Sequence, residues 1–296
     1  MDEQQRILII DDDPQNIKVA ANALRSPELI IGFARSGAEA LERLEDIPFD
    51  IILMDVMMPG MDGYQVCEKI KANPRTANIP VLFLTAHTDE ESIEKAYASG
   101  GVDYISKPIR SRELHARVKS QLRQLKLIRN MEFLATRDSL TGIYNRRKFF
   151  ELGEAMFANH GDTLAALMID VDHFKQINDN HGHQTGDEVL KTIALAIESK
   201  LPKGAILGRL GGEEFAVLLP LTSPDQGVDV AESIREEIAS SKLLLPGGDT
   251  LACTVSIGHG TGKDILSLDG LLKVADDMLY CAKREGRNRT RLRTPV

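Results

Sequence analysis

Apolar and polar positions follow two rhythms along residues 6–110. Short apolar runs stand at Ile7–Ile10, Ile51–Met54, Val81–Leu84 and Val102–Ile105, with a weaker one at Leu29–Phe33. Amphipathic stretches such as Asn16–Leu24 and Tyr64–Ala72 lie between them. Short apolar runs bounded by polar clusters predict buried strands, and the stretches between predict helices. Strands alternating with helices predict parallel pairing, hence an α/β unit with a doubly wound five-stranded sheet. Such sheets gather function at the carboxyl ends of their strands.

From Ser111 to Thr136 the rhythm changes. There is no Pro or Gly and many good helix formers, which predicts one long helix. Leu114, Val118, Leu125 and Ile128 follow at spacings of 4, 7 and 3, consistent with d, a, a and d positions of a heptad. Gln121 takes the intervening d position. Beyond Ile128 the seam slips, because Glu132 falls at the next a position while Met131 and Leu134 favour another register. This predicts a helix that leaves the first unit and continues as a short parallel coiled coil joining two copies. The alternative is that the stripe packs on its own unit, as its first turns must. The basic residues Lys119, Arg123, Lys126 and Arg129 read as a solvated face.

The second half holds the most informative stretch. Ala205-Ile206-Leu207 and Phe215-Ala216-Val217-Leu218-Leu219 flank Gly211-Gly212-Glu213-Glu214. The pattern predicts strand, sharp turn, strand, with acids displayed at a hairpin tip. Glycines there let another molecule approach the backbone, and carboxylates beside them suit a hard divalent cation. Upstream, Leu167-Met168-Ile169-Asp170-Val171-Asp172 ends another apolar strand in acids. Two such strand ends suit a metal held against a nucleoside triphosphate.

Composition narrows the picture. The 296 residues are 43% hydrophobic and 27% charged, as expected for two soluble globular domains. A net charge of −8 offers no global basic field, so nucleic acid is not an expected partner. Cys67, Cys253 and Cys281 are isolated and predict a reduced, cytoplasmic setting. The start, Met1-Asp2-Glu3-Gln4-Gln5-Arg6, is not a signal peptide, and no apolar run is long enough to span a membrane.

Candidate chemistry in the first half lies at the strand ends: Asp11-Asp12-Asp13, Asp55 and Thr85, with Lys107-Pro108 after the last run. Grouped acids are electrostatically costly unless a cation neutralises them. Mg²⁺ would do so and leave Asp55 as a nucleophile toward phosphorus, with Lys107 meeting the incoming phosphoryl oxygens. Taken singly, an acid triplet reads as a solvated loop, a strand-end Asp as a cap, and Lys-Pro as a turn. Together, Ile10-Asp11-Asp12-Asp13-Pro14, Leu53-Met54-Asp55-Val56-Met57-Met58-Pro59-Gly60-Met61-Asp62-Gly63, Thr85-Ala86 and Tyr104-Ile105-Ser106-Lys107-Pro108 resemble the receiver domain of bacterial response regulators. The resemblance implies that Asp55 accepts a phosphoryl group from a cognate histidine kinase. It implies that Asp11, Asp12, Asp55 and the Met57 carbonyl hold Mg²⁺, and that Thr85 and Tyr104 are switch positions.

The second half resembles the GGDEF family of diguanylate cyclases. Asp170-Val171-Asp172-His173-Phe174-Lys175-Gln176-Ile177-Asn178-Asp179 follows D-x-D-x-F-K-x-x-N-D. Gly182-His183-Gln184-Thr185-Gly186-Asp187 follows G-H-x-x-G-D. Asp138-Ser139-Leu140-Thr141-Gly142-Ile143-Tyr144-Asn145-Arg146-Arg147 is similar to the family's domain entry. Thr254-Val255-Ser256-Ile257-Gly258 and Ala282-Lys283-Arg284-Glu285-Gly286-Arg287-Asn288 are similar to its closing strand and helix. The resemblance implies an α/β domain with a mixed central sheet like a nucleotide cyclase or polymerase palm, condensing two GTP into cyclic di-GMP as a homodimer. Asp170, Glu213 and the Val171 carbonyl are then Mg²⁺ ligands (Mn²⁺ is an alternative ion), and Asn178 and Asp187 read guanine. Lys283 and Arg287, taken as i and i+4 on one helical face, meet phosphates, with Phe174, Lys175 and His183 beside the substrate. Glu214 activates or positions the attacking 3′-hydroxyl, a metal-bound route being equally defensible.

Domains are expected at 1–125 (receiver), 111–136 (helical linker overlapping the last receiver helix) and 137–296 (GGDEF). Asp138 and Arg147 are expected to form a structural ion pair. Many family members carry an inhibitory R-x-x-D product site before the glycine pair. Pro202 and Ala205 stand there instead, which predicts no inhibition by that route. The alternative function is a non-catalytic module that binds GTP or cyclic di-GMP and signals through contacts.

Overall fold

In the computed structural model, which describes residues 4–86, 89–223, 225–244 and 250–293, every apolar run predicted in the first half is a strand. These are β1 (Gln5–Ile10), β2 (Leu29–Ala34), β3 (Ile51–Asp55), β4 (Val81–Thr85) and β5 (Asp103–Ser106). They form a parallel sheet in the order β2-β1-β3-β4-β5. Helices α1 (Pro14–Ala23), α2 (Gly37–Asp46), α3 (Gly63–Ala72), α4 (Glu90–Ala98) and α5 (Ser111–Thr136) follow the strands. Side chains on a strand alternate between faces. Ile7 and Ile9 of β1 therefore pack with Ile17 and Ala20 of α1 and Leu114 and Val118 of α5. Leu8 and Ile10 pack on the other face with Ala40 and Leu44 of α2 and Val66 and Ile70 of α3. The strand order reverses beside β1, so β1 and β3 open a crevice at their carboxyl ends.

Helix α5 spans the predicted connector, but its apolar stripe runs differently from the expected seam. Leu122, not the Gln121 position, continues it: Leu114, Val118 and Leu122 are buried against the first sheet and Leu125 packs there too. The first sheet thus uses the positions assigned to a coiled coil as far as Leu125. Leu127, Ile128, Met131, Phe133 and Leu134 are the large apolar residues of the helix that are exposed. Two compact units, Met1–Asn130 and Met131–Val296, meet within this helix.

The second unit contains β6 (Tyr144–Asn145), α6 (Arg146–His160), β7 (Leu164–Val171), α7 (Phe174–His181), α8 (His183–Lys200), β8 (Ile206–Gly211), β9 (Glu214–Pro220), α9 (Gln226–Ser240), the short pair β10 (Leu243–Leu244) and β11 (Thr250–Leu251), β12 (Val255–Thr261), α10 (Leu268–Arg284) and β13 (Thr290–Leu292). The main sheet has the order β13-β12-β7-β9-β8-β6. It is mixed: β7 is antiparallel to β9 and β12, while β13 runs parallel to β12. Odd positions of β7 (Ala165, Leu167, Ile169, Val171) face a core shared with α8 and α9. Even positions Ala166 and Met168 face Phe149 of α6 and Leu271, Ala275 and Leu279 of α10. Gly258 lets α10 lie this close, since a Cβ there would be 2.0 Å from the Ala275 carbonyl oxygen.

His259, on the opposite face of β12, is 3% exposed, and its Nε2 has no hydrogen-bond partner. Gly227 of α9 makes room for it; a Cβ there would stand 2.3 Å from Nε2. Burial pushes the His259 pKa down to about 4. With the folded value below the unfolded one, the unfolded chain takes the proton first as pH falls. Stability should therefore be lost between about pH 6.5 and pH 4, by roughly 3 kcal/mol in all. Thermal melts at pH 7 and pH 4.5 should show the second unit of His259→Leu less acid-sensitive than wild type. Equal acid sensitivity would place the effect elsewhere.

Candidate functional site

The even face of β7 is apolar under α10 and ends in carboxylates. Asp170 and Asp172 continue the register of Ala166 and Met168, beside the last turn of α10. Asp170 is directly opposite Glu214 across the β7–β9 ladder. Ala216 and Leu218 of β9 face the α10 core, so Glu214 begins the same face as Asp170. Asp170 is 7% exposed, and its Oδ2 is 2.8 Å from Lys283 Nζ at the end of α10. Burial raises the Asp170 pKa, Lys283 opposes this, and the charges of Glu213 and Glu214 add to it.

The hairpin between β8 and β9 turns through Gly212, whose φ of +49° favours glycine. A Cβ on Gly211 or Gly212 would meet nothing within 4 Å, so the space above the turn is open. Arg209 holds the turn by donating from Nε and Nη2 to the Gly212 carbonyl at 2.9 and 2.7 Å. Its Nη1 is 3.0 Å from Asp138 Oδ1. This corrects the expected Asp138–Arg147 pair, since Arg147 donates instead to the Ala135 carbonyl at 2.6 Å. Burial works to raise the Asp138 pKa, but bonds from Thr141 and Arg209 outweigh it and hold the carboxyl below its usual range.

Helices α7 and α8 meet at Gly182, φ +81°. The Asn178 side chain crosses this corner onto α8: a Cβ on Gly186 would lie 2.0 Å from Asn178 Oδ1. Asn178 thereby sits against Gly186, the residue before Asp187; Asp187 is exposed, as are His183 and Lys175. Phe174 is buried at the start of α7.

The expected Lys283–Arg287 helical face is not present. Helix α10 ends at Arg284, the chain turns through Gly286 at φ +111°, and Arg287 stands beyond the helix at φ +62°. The Arg287 amide donates back to the Ala282 carbonyl at 3.1 Å, a glycine-centred helix cap. Arg287 is exposed.

In the first unit, the ends of β1 and β3 bring Asp11, Asp12 and Asp55 together, with one carboxylate oxygen from each within 4.8 Å of the others. Lys107 Nζ lies 2.9 Å from Asp11 Oδ2 and 2.8 Å from Asp55 Oδ1. Burial raises the Asp55 pKa and Asp11 adds to this, while Lys107 opposes. Gly63 allows the start of α3 to touch the β3 end, where a Cβ would be 2.2 Å from the Asp55 carbonyl oxygen. Asp13 caps α1 by accepting from the Gln15 amide. Asn16, which the sequence reading passed over, donates from Nδ2 to Asp11 Oδ1 at 3.0 Å. Its place five residues after Asp11, on the first turn of α1, was the available signal. Thr85 is buried, Tyr104 is half-buried with the Arg117 guanidinium 6.0 Å from its ring centroid, and Met57 is 64% exposed.

Among the described residues, the Asp11, Asp12 and Asp55 group fits a hard divalent cation. In the first unit Lys107 meets two of these three grouped carboxylates; in the second, Asp170 meets Lys283 and stands opposite Glu214 across the ladder; in each the pKa of a buried aspartate is raised.

Residues 135–289 match the family model "Diguanylate cyclase, GGDEF domain". The chain belongs to the GGDEF family. Residues 7–119 of this GGDEF protein match the response regulator receiver domain model, as the first-half motifs implied. It is 34% identical over 96% of its length to the response regulator PleD of Caulobacter vibrioides, and spans 64% of that protein. Diguanylate cyclase DgcM of Escherichia coli is 40% identical over 56% of this chain and 40% of its own. Among solved structures, the coiled coil and GGDEF domain of DgcB from Caulobacter crescentus, in complex with c-di-GMP, gives a TM-score of 0.54. It is 31% identical and covers 61% of this chain and 99% of that one. Among the described residues, no helix is long and apolar enough to cross a membrane.

Proposed function

We propose that the protein is a receiver-controlled diguanylate cyclase of the cytoplasm. The observation that carries this reading is the face shared by Asp170, Glu214 and Lys283 at the mouth of an open Gly211-Gly212 turn. Asp170, Glu213 and the Val171 carbonyl would hold Mg²⁺ or Mn²⁺. Such an ion, when bound, neutralises the triphosphate and stabilises the leaving pyrophosphate. Lys283 and Arg287 meet phosphate oxygens, helped by Lys175 and the amides around Phe174. Asn178 and Asp187 select guanine, because a carboxylate accepts from its N1–H and N2–H₂ edge, a pattern adenine lacks. His183 stands beside the substrate.

Each 3′-hydroxyl oxygen bonds to the α-phosphorus of the opposing GTP. The bond from that phosphorus to pyrophosphate breaks, and Glu214 receives the hydroxyl proton. Two such events close cyclic di-GMP and release two pyrophosphates. One domain offers one GTP, so two copies must face each other. The exposed residues Leu127, Ile128, Met131, Phe133 and Leu134 of α5 supply an apolar surface for pairing with a second copy. Pro202 and Ala205 form a turn, the Ala205 amide donating to the Pro202 carbonyl at 3.2 Å. Neither side chain offers the charge an R-x-x-D product site needs.

In the receiver, the Asp55 carboxylate takes a phosphoryl group from a histidine kinase, breaking the phosphorus–nitrogen bond. Asp11, Asp12, Asp55 and the Met57 carbonyl would hold the receiver's Mg²⁺. Lys107 contacts the phosphoryl oxygens, and Thr85 and Tyr104 rearrange around them. Pairing of the receivers then brings two GTP-loaded domains into opposition.

The test is cyclic di-GMP formation from GTP and Mg²⁺, with and without beryllofluoride as phosphoryl mimic, while light scattering reports mass. Product is expected to rise with the mimic by roughly 5- to 150-fold, the span of ordinary allosteric coupling, together with a shift to dimer. Product that ignores the mimic would keep the cyclase and remove the control. A mimic-bound dimer making no product would favour the binding module.

A further inference from the structure

Asp172 is a buried carboxylate, 4% exposed, for which the reaction above has no use. It stands two residues beyond Asp170, in the turn just past the end of β7. Its Oδ1 accepts from Ser256 Oγ at 2.7 Å. Its Oδ2 accepts from Thr254 Oγ1 at 2.7 Å and from the Asn288 backbone amide at 3.0 Å. Two of these donors come from β12 and its approach, and the third from the segment that follows α10.

That segment is unusual. Arg287 and Asn288, neither of them glycine, have φ of +62° and +45°. Left-handed backbone at two successive side-chain-bearing residues persists only where the surroundings over-determine it. The surroundings here are countable. The Arg287 amide is tied back to the Ala282 carbonyl. Arg235 Nη1 donates to Asn288 Oδ1 at 3.2 Å. The Arg289 carbonyl accepts from the Ile257 amide at 2.9 Å as β13 joins the sheet. The Asn288 amide, between these anchors, goes to Asp172. A hydroxyl can rotate to another partner, but this amide is fixed by the backbone. A charged acceptor strengthens the bond it makes.

We infer that Asp172 is a positioning residue: through the Asn288 amide it holds the left-handed turn that presents Arg287, and so fixes the phosphate-binding arginine relative to Asp170, two residues before it in the chain. The inference rests on the phosphate role given to Arg287 above. Asp172 itself touches no reacting atom. It acts on the geometry of a group that does, and the two carboxylates at the end of β7 and just past it divide the work. Asp170 pairs with Lys283, the last lysine of α10, and Asp172 holds the turn beyond it.

A double-mutant cycle in the full-length protein, read by GTP saturation curves and turnover, tests this. Arg287→Ala should reduce kcat/KM by roughly tenfold to a hundredfold, the usual loss for hydrogen bonds to charged groups. Asp172→Ala should lose a similar factor. The double variant should lose no more than about twofold beyond either single one, because the arginine is already misplaced. Asp172→Asn should recover most of the activity. Its amide oxygen can still accept from the Asn288 amide, and its NH₂ can donate to Ser256 Oγ, whose hydroxyl rotates. Losses that multiply in the double variant, or an Asn variant as impaired as Ala, would overturn the inference. If Asp172→Ala unfolds at assay temperature, Thr254→Val, which loosens the same carboxylate oxygen, replaces it in the cycle, and multiplying losses again overturn the idea. An Arg287→Ala variant that uses GTP as well as wild type would instead remove the phosphate role on which the inference rests.

Discussion

Asp170→Asn is expected to lower cyclic di-GMP formation by on the order of a thousandfold, with no loss of melting temperature. The two halves of that expectation come from the same burial. Burial raises the Asp170 pKa and Glu213 and Glu214 push the same way; only Lys283 opposes. A group whose folded pKa stands above its unfolded one costs the folded state stability once ionised. Asparagine removes that cost, keeps an oxygen for Lys283 Nζ and fills the same volume. It does not supply the charge that a triphosphate and its divalent cation require. Glu214→Gln should behave differently from Asp170→Asn in one respect: turnover falls by about 10²- to 10⁴-fold while GTP binding is largely retained, as expected for a residue that handles the proton. Turnover and equilibrium GTP binding measured on both variants separate these effects. Asp170→Asn retaining turnover within tenfold of wild type would sink the assignment of Asp170 to the reacting centre.

The residues that carry these arguments were visible in the sequence to different degrees, for physical reasons. Strand ends were readable because continuous apolar runs stop abruptly at Asp11, Asp55 and Asp170, and a strand that stops in a carboxylate places that carboxylate at a sheet edge. The Gly211-Gly212 turn was readable because glycine pairs between apolar runs have few other uses. What the sequence hid was set by geometry at long range or by a single backbone angle. Arg287 sits four residues after Lys283, which on a helix means one face. The left-handed turn at Gly286 ends the helix first and sends the arginine elsewhere. Arg209 and Asp138 are 71 residues apart, and nothing local distinguishes Arg209 from Arg147 as the partner. In α5 the heptad reading put Gln121 on the seam. The neighbouring Leu122 is buried because the helix first meets the sheet of its own receiver, not a second copy. Asp172 stands in the D-x-D stretch that ends the apolar run. Its three donors arrive from residues 82 to 116 positions away, so only the folded chain shows what it holds.

Asp55→Asn is expected to abolish phosphoryl uptake completely and, without divalent cation, to raise the melting temperature of the first unit. Asparagine has no carboxylate to form the acyl phosphate, so the first outcome is chemical. The second follows from the charges. Asp11, Asp12 and Asp55 each hold one oxygen within 4.8 Å of the others, and Lys107 bridges Asp11 and Asp55. Burial raises the Asp55 pKa, and Asp11 raises it further against the pull of Lys107. The folded value exceeds the unfolded one, so ionised Asp55 weakens the fold at neutral pH, and the neutral amide relieves this. Lys107 has the opposite sign. Burial disfavours its charge, but Asp55 and Asp11 outweigh that and raise its pKa. Its contribution is therefore fully present at pH 7 and is lost only at alkaline pH, as the lysine deprotonates. In the variant it keeps Asp11 as partner. Cation reverses the ranking. Mg²⁺ at a hundred times its dissociation constant stabilises wild type by about 2.7 kcal/mol, or roughly 10 °C for a unit of this size. The variant, with one ligand gone, should gain far less. Thermal melts of both proteins with and without Mg²⁺, together with labelling by a small phosphodonor, measure all three effects. A variant that melts lower without cation and gains as much from Mg²⁺ as wild type would show that the acids at the ends of β1 and β3 do not form the cation site.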